Sequence, residues 1–360
     1  MIRLNSYLKT LMRNLQGGNS TGMKSTNTTD KHIGEDHAPA AGKLPIEQTV
    51  FKLRPIEYPE LRELYLIGRR SLWTEDEVNF SEFVTDWETK LTEEEQNFIK
   101  KILKGFTITE LLVLDHWKKV GEHYPRPEVI QLAALNSYVE TVHASAYNQM
   151  EDVLDMDTHD EFLQDEVARQ RFDNIWNSIQ DGDLLQIALF SFVEGISLYS
   201  SFLLLLAFTY RKNLIRPIKK VIGWSLQDES LHAQGGIELS KIIRRERGYS
   251  WTSEEEKTLR EALHHLVKCE ISFIDSVFGG TKALDGIISK AEAIDFIYRR
   301  ANEMLQGHNL YGNYFVTGVS TDLAEFISML QNSTHNDFFA GKNSDSYTTI
   351  ANIDWDLVKL

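Results

Sequence analysis

EVIQLAALNSYVETVHASAYNQMEDVL, residues 128–154, decides the fold class. Its apolar residues return every three to four positions, and Pro127 suits the first turn of a helix. Glu140 and His143 stand three apart inside it, so on a helix they share a face and reach one point. Tyr147 lies four residues beyond His143, on the same stripe and one turn further. LQDESLH, residues 226–232, repeats the spacing with Glu229 and His232.

Working outward, helical periodicity dominates. Thr92 with Glu95 reads as a capping box opening a helix to about Gly121, with Glu110 well inside it. Further helices are expected at about 160–179, 183–211, 216–246, 253–278 and 289–315, with Ser253/Glu256 and Ser289/Glu292 as additional capping boxes. Strand signals are scarce, since no alternating β-branched run between tight turns lasts more than a few positions. The expected class is all-α.

LLQIALFSFVEGISLYSSFLLLLAFTY, residues 184–210, holds a single charge, Glu194. Its length would span a bilayer. Against a span stand the mid-segment carboxylate, Asp181 and Asp183 on one flank, Arg211 and Lys212 on the other, and the lack of a second such segment. The reading preferred is the central helix of a large bundle, in which a lone buried Glu needs a partner such as a metal ion.

The order of these residues then carries the argument. Glu110 precedes Glu140 by 30 residues and Glu194 precedes Glu229 by 35, so each half supplies one helix with Glu and one with Glu-x-x-His. That is the dinuclear carboxylate arrangement of a ferritin-like four-helix bundle. Taken singly, each residue is explained by a surface carboxylate or a core histidine, and Tyr147 by a core tyrosine. Together, four carboxylates can neutralise two close cations while one imidazole per ion leaves positions open, a set suited to iron or manganese. Tyr147 then reads as a redox-active phenol.

VETVHASAY (139–147), SFVEGISLYSSF (191–202) and LQDESLH (226–232) resemble the metal-site helices of the class I ribonucleotide reductase small subunit. SLWTEDEV (71–78) resembles the family's stretch before the bundle, and NDFFAGKNSDSY (336–347) the start of its C-terminal tail. The resemblance implies that Glu110, Glu140, His143, Glu194, Glu229 and His232 hold two metal ions, and that Tyr147 is the radical tyrosine. It makes Trp73 and Asp228 a radical-transfer pair linked to His143, and Tyr347 the relay in the tail. Two iron ions are the first expectation; manganese with iron, or two manganese ions, are the alternatives. Glu110 is the departure that keeps them open, because the family most often has Asp at that position. Leu198 and Ser225 also stand at tyrosine-pocket positions that are usually bulkier or more apolar, while Phe202 is kept. The implied activity is ribonucleoside-diphosphate reduction, with the radical passed to a large catalytic subunit. A homodimer is implied as well.

The chain of 360 residues divides, on this reading, into a disordered segment at 1–44, a ferritin-like domain at 45–332 and a flexible tail at 333–360 that binds the large subunit. A net charge of −15, from 38 Lys plus Arg against 53 Asp plus Glu, opposes binding to nucleic acid or anionic lipid. With Cys269 as the only cysteine there is no intrachain disulfide and no thiolate cluster, and a reducing cytoplasm is the expected compartment. MIRLNSYLKTLMRNLQ, at the start, carries no export signal and reads as a frayed terminus. Two rivals remain. Another ferritin-like oxidase or monooxygenase would use the same ligands but not Trp73, Asp228 and a tail tyrosine; a non-catalytic metal-binding bundle would explain the ligands alone.

Overall fold

The computed structural model describes residues 44–104, 106–156, 166–167, 170, 184–248 and 250–312. Among them are ten α-helices and no strand. The helices are α1 (Pro59–Ser71), α2 (Ser81–Thr89), α3 (Glu93–Leu103), α4 (Phe106–His123) and α5 (Pro127–Val153), followed by α6 (Leu184–Ile196), α7 (Tyr199–Lys212), α8 (Arg216–Arg247), α9 (Ser253–Phe278) and α10 (Lys290–Gly307). The tail with Tyr347, the expected helix at 160–179 and residues 1–43 lie outside the described residues.

Four helices form the core around the site. α4 packs along α5 and α6 along α8, the two most extensive pairings, and α5 meets α8 across the middle. α1 lies on α5 and α8, and α9 and α10 cover α6. The α6–α8 approach depends on Gly236, where an added Cβ would come 2.8 Å from Cβ of Ser191, closer than two carbons can sit.

Capping boxes open α3, α9 and α10. Thr92 accepts from the Glu95 amide and Ser289 from the Glu292 amide, with the glutamate reaching back in each case. The α9 box is Thr252 with Glu255, one residue earlier than the expected Ser253/Glu256 pair; Ser253 is already inside the helix. α7 has no side-chain cap of its own, and the buried Glu270 of α9 supplies a carboxylate to Ser200 Oγ and to the Ser200 amide at its start.

Two expected long helices are each broken. The helix expected from Thr92 to Gly121 ends at Leu103, with Lys104 extended (ψ 124°), and resumes at Phe106 as α4. The apolar helix expected at 183–211 is interrupted at Ser197–Leu198, where Leu198 takes a left-handed conformation (φ 68°). Periodicity carries on across both breaks, which is why apolar spacing alone reads through them. α10 also ends earlier than expected, at Gly307, because His308 turns inward and is fully buried. Within Leu184–Lys212, 89% of the most apolar window is buried inside the protein, so this is a core segment.

Candidate metal centre and its aromatic path

Glu110 on α4, Glu140 and His143 on α5, Glu194 on α6, and Glu229 and His232 on α8 all converge in the bundle core, none more than 4% exposed. They form two overlapping groups. Glu110, Glu140, His143 and Glu229 can each bring a ligand atom within 4.8 Å of the others, and so can Glu140, Glu194, Glu229 and His232. Glu140 and Glu229 belong to both groups, so they are placed to bridge two adjacent ions, with one histidine for each.

The distances have a particular character. His143 Nδ1 lies 3.1 Å from Glu229 Oε1 and 3.3 Å from Glu140 Oε2, while His232 Nδ1 lies 2.7 Å from Glu140 Oε1 and 3.4 Å from Glu229 Oε2. Yet both Nδ1 atoms, both Glu140 oxygens, Glu229 Oε1 and Glu110 Oε1 are buried without a partner in hydrogen-bonding geometry. Buried polar atoms are almost always paired, and leaving so many unsatisfied costs several kcal/mol. They converge within reach of one another without pairing, which fits cations between them.

The electrostatics agree. Burial, then the charges of Glu229 and Glu140, push the carboxyl groups of Glu110 and Glu194 well above the usual range. Burial also opposes the charged forms of Glu229 and the two histidines. It is outweighed: His232 and His143 hold Glu229 below its ordinary value, Asp228, Glu140 and Glu229 raise His143, and Glu140 and Glu229 raise His232. Four acids and two imidazoles thus share too few protons for too much charge, a deficit that divalent cations remove.

Outward from His143 runs a polar and aromatic chain. Nε2 of His143 lies 3.1 Å from Asp228 Oδ2, and the same oxygen accepts from Trp73 Nε1 at 2.8 Å. The Trp73 and His143 rings are stacked with centroids 5.8 Å apart. Because Nδ1 faces the carboxylates, the tautomer that leaves it free as a ligand donates Nε2–H to Asp228.

Tyr147 sits one turn below His143, with ring centroids 6.2 Å apart, and is 1% exposed. Its ring meets Phe106 edge-on at 4.9 Å, and Phe106 in turn meets Phe202 at 5.7 Å. Ser225 lies beside the phenol, whose oxygen satisfies no hydrogen-bond geometry. Burial, then the Glu110 charge, push this phenol well above its ordinary pKa.

Sequence reasoning missed Trp117. Its Nε1 donates to Glu194 Oε1 at 2.8 Å and its ring meets His232 edge-on at 5.8 Å. The signal was present, for Trp117 follows Glu110 by seven residues and so lies on the ligand stripe of α4. Gly235 makes room for it: an added Cβ would stand 3.2 Å from the indole edge.

Comparison with known proteins settles the family. The model of the family described as "Ribonucleotide reductase, small chain" matches residues 50–317, about three quarters of the chain. The chain belongs to the ribonucleotide reductase small-chain family. A probable ribonucleoside-diphosphate reductase small subunit, 048L of Invertebrate iridescent virus 3, is 26% identical over 337 residues, covering 87% of this chain and 88% of that protein. The ribonucleoside-diphosphate reductase subunit beta of Chlamydia pneumoniae is 24% identical over 328 residues, covering 85% and 92%. Among solved structures, the dimanganese(II)-NrdF of Streptococcus sanguinis superposes with a TM-score of 0.66 at 18% identity, over 79% of this chain and 99% of that one. The protein is accordingly a small subunit of a ribonucleoside-diphosphate reductase, working with a large subunit, on a ferritin-like all-α fold with a buried carboxylate–histidine site.

Proposed function

We propose that Glu110, Glu140, His143, Glu194, Glu229 and His232 hold two metal ions, that Tyr147 carries the stored radical, and that Asp228 and Trp73 carry the oxidising equivalent outward. The observation behind this is the pair of overlapping ligand groups sharing Glu140 and Glu229, with His143 alone continued by hydrogen bonds to Asp228 and Trp73. Two ions of the iron or manganese class would supply one-electron redox chemistry with oxygen or a reduced oxygen species. We assign two iron ions as the first choice, with manganese and iron or two manganese ions as the alternatives that Glu110 leaves open.

The protein's own residues set the direction of the chemistry. Tyr147 keeps its proton, since burial and the Glu110 charge oppose a phenolate, so the resting side chain is the neutral phenol. Phe106 and Phe202 exclude water from its ring. When Trp73 is oxidised, its acidic N–H proton can move 2.8 Å to Asp228 Oδ2, which keeps net charge off the buried indole. We further assign the tail, with Tyr347, as the docking segment and relay toward the large subunit, and a homodimer as the working form of this chain in the cytoplasm.

Electron paramagnetic resonance on air-activated protein, with metal analysis, tests the reading. Tyr147→Phe is expected to retain its metal and lose the tyrosyl signal. An unchanged radical signal in that variant would overturn the assignment.

A further inference from the structure

Ser225 stands in the tyrosine pocket with a hydroxyl that the radical path does not use. α5 and α8 run antiparallel through the site, because Glu140 meets His232 at 2.7 Å and His143 meets Glu229 at 3.1 Å. Four residues further along α5 is Tyr147, and four residues back along α8 is Ser225. The two hydroxyls therefore face each other across the same seam. Ser225 is fully buried and Tyr147 is 1% exposed. Ser225 acts on the phenol as a hydrogen-bond donor, against the upward push of burial and the Glu110 charge.

Yet neither oxygen has a partner that meets full hydrogen-bond geometry. A serine inside a helix can give its hydroxyl to a carbonyl of the turn before. Ser191 and Ser240, just as buried, do so at 2.7 Å to Ala188 and 2.9 Å to Ile237. Ser225 instead keeps its hydroxyl for the pocket. A buried hydroxyl without a partner is costly, and an apolar residue here would avoid that cost. The rest of the pocket is aromatic, with Phe106 against the Tyr147 ring and Phe202 behind it.

Resting on the proposed radical assignment, we infer that the Ser225 hydroxyl donates a hydrogen bond to the Tyr147 oxygen in the stored radical. A neutral tyrosyl radical is the phenol less one electron and its O–H proton, so its oxygen can only accept. Ser225 has one proton to offer and keeps it throughout, so no transfer step is added. In a pocket closed by Phe106 and Phe202, this bond lowers the energy of the radical relative to the same pocket without a donor.

Electron–nuclear double resonance on the full-length chain in deuterated water tests this. After activation in air, the parent Tyr147 radical should show a coupling to one exchangeable deuteron, and its largest g component should lie below that of a tyrosyl radical without a donor. Ser225→Ala should retain its metal, lose the coupling and raise that g component. Ser225→Thr, which restores the hydroxyl, should recover both. A coupling that survives in Ser225→Ala, or that is missing from the parent, would overturn the inference. A second arm needs no metal. Difluorotyrosine is placed at position 147 of the metal-free chain, and ultraviolet photolysis of the frozen sample gives a radical identified by its fluorine splittings. The same loss in Ser225→Ala and recovery in Ser225→Thr are expected there, and an unaltered coupling would again overturn the inference. Absence of a tyrosyl signal from the air-activated parent counts against the radical assignment instead, while the photolysis arm still decides the hydrogen bond.

Discussion

The two halves of the proposed metal centre carry the same residue types at nearly the same spacing, and their surroundings differ. In the first half, Glu110 Oε1 has no hydrogen-bond partner and His143 is continued to Asp228, with Tyr147 one turn away. In the second, Glu194 is tied down by Trp117, and α6 is held to α8 through a buried histidine clamp, His308, between Ser191 and Ser240. The first half is connected outward and the second is anchored. A repeated motif in sequence thus supports an asymmetric division of labour, because the neighbours of each copy differ.

The largest test of this comparison removes what the halves share. Glu140→Gln keeps size and burial but takes a charged ligand from both groups, so both ions should be lost, as metal analysis of the purified variant will show. Glu110→Gln should weaken the first position and spare the second; equal loss at both would break the distinction between halves.

A smaller effect is expected at the anchor. Trp117→Phe removes the hydrogen bond to Glu194 while filling most of the same space, and should lower affinity for the second ion by roughly 10–100-fold, as is typical for a ligand's supporting hydrogen bond. Competitive chelator titration reads this directly. Retained affinity would show that α6 alone fixes Glu194.

The smallest effect concerns acid. Burial, then Arg244 and Lys241, lower His308 from its ordinary 6.5 to about 3. The folded chain therefore keeps this imidazole neutral where the unfolded chain protonates it. Stability from the clamp is present above the unfolded value and is lost as pH falls from about 6.5 toward 3. At about pH 5.5 the loss should be about 1 kcal/mol, and His308→Asn should flatten that slope in denaturant titrations. An identical slope in the variant would remove His308 from the second half's account.

Much of this was legible in the chain. The two Glu-x-x-His pairs, each with a glutamate on a second helix, follow from helical period, and the starts of α3 and α10 from their capping boxes, because a cap is settled by residues within four of one another. The breaks at Lys104 and Leu198 were not legible, since apolar spacing continues through both and packing against other helices decides where the chain turns. The α9 box shows the same limit on a smaller scale: Thr252/Glu255 and Ser253/Glu256 satisfy the pattern equally, and only the backbone selects the first.

The sequence by itself determined which six side chains could meet two ions, since that depends on faces of helices and on local spacing. The tertiary structure alone decided how they meet. It made Glu140 and Glu229 the shared carboxylates, gave Glu194 its indole partner, and joined Trp73 to Asp228 across 155 residues of chain. Helical period is a property of neighbours in sequence. A carboxylate shared by two ligand groups, or the hydrogen bond from Trp73 to Asp228, exists only after distant segments have packed.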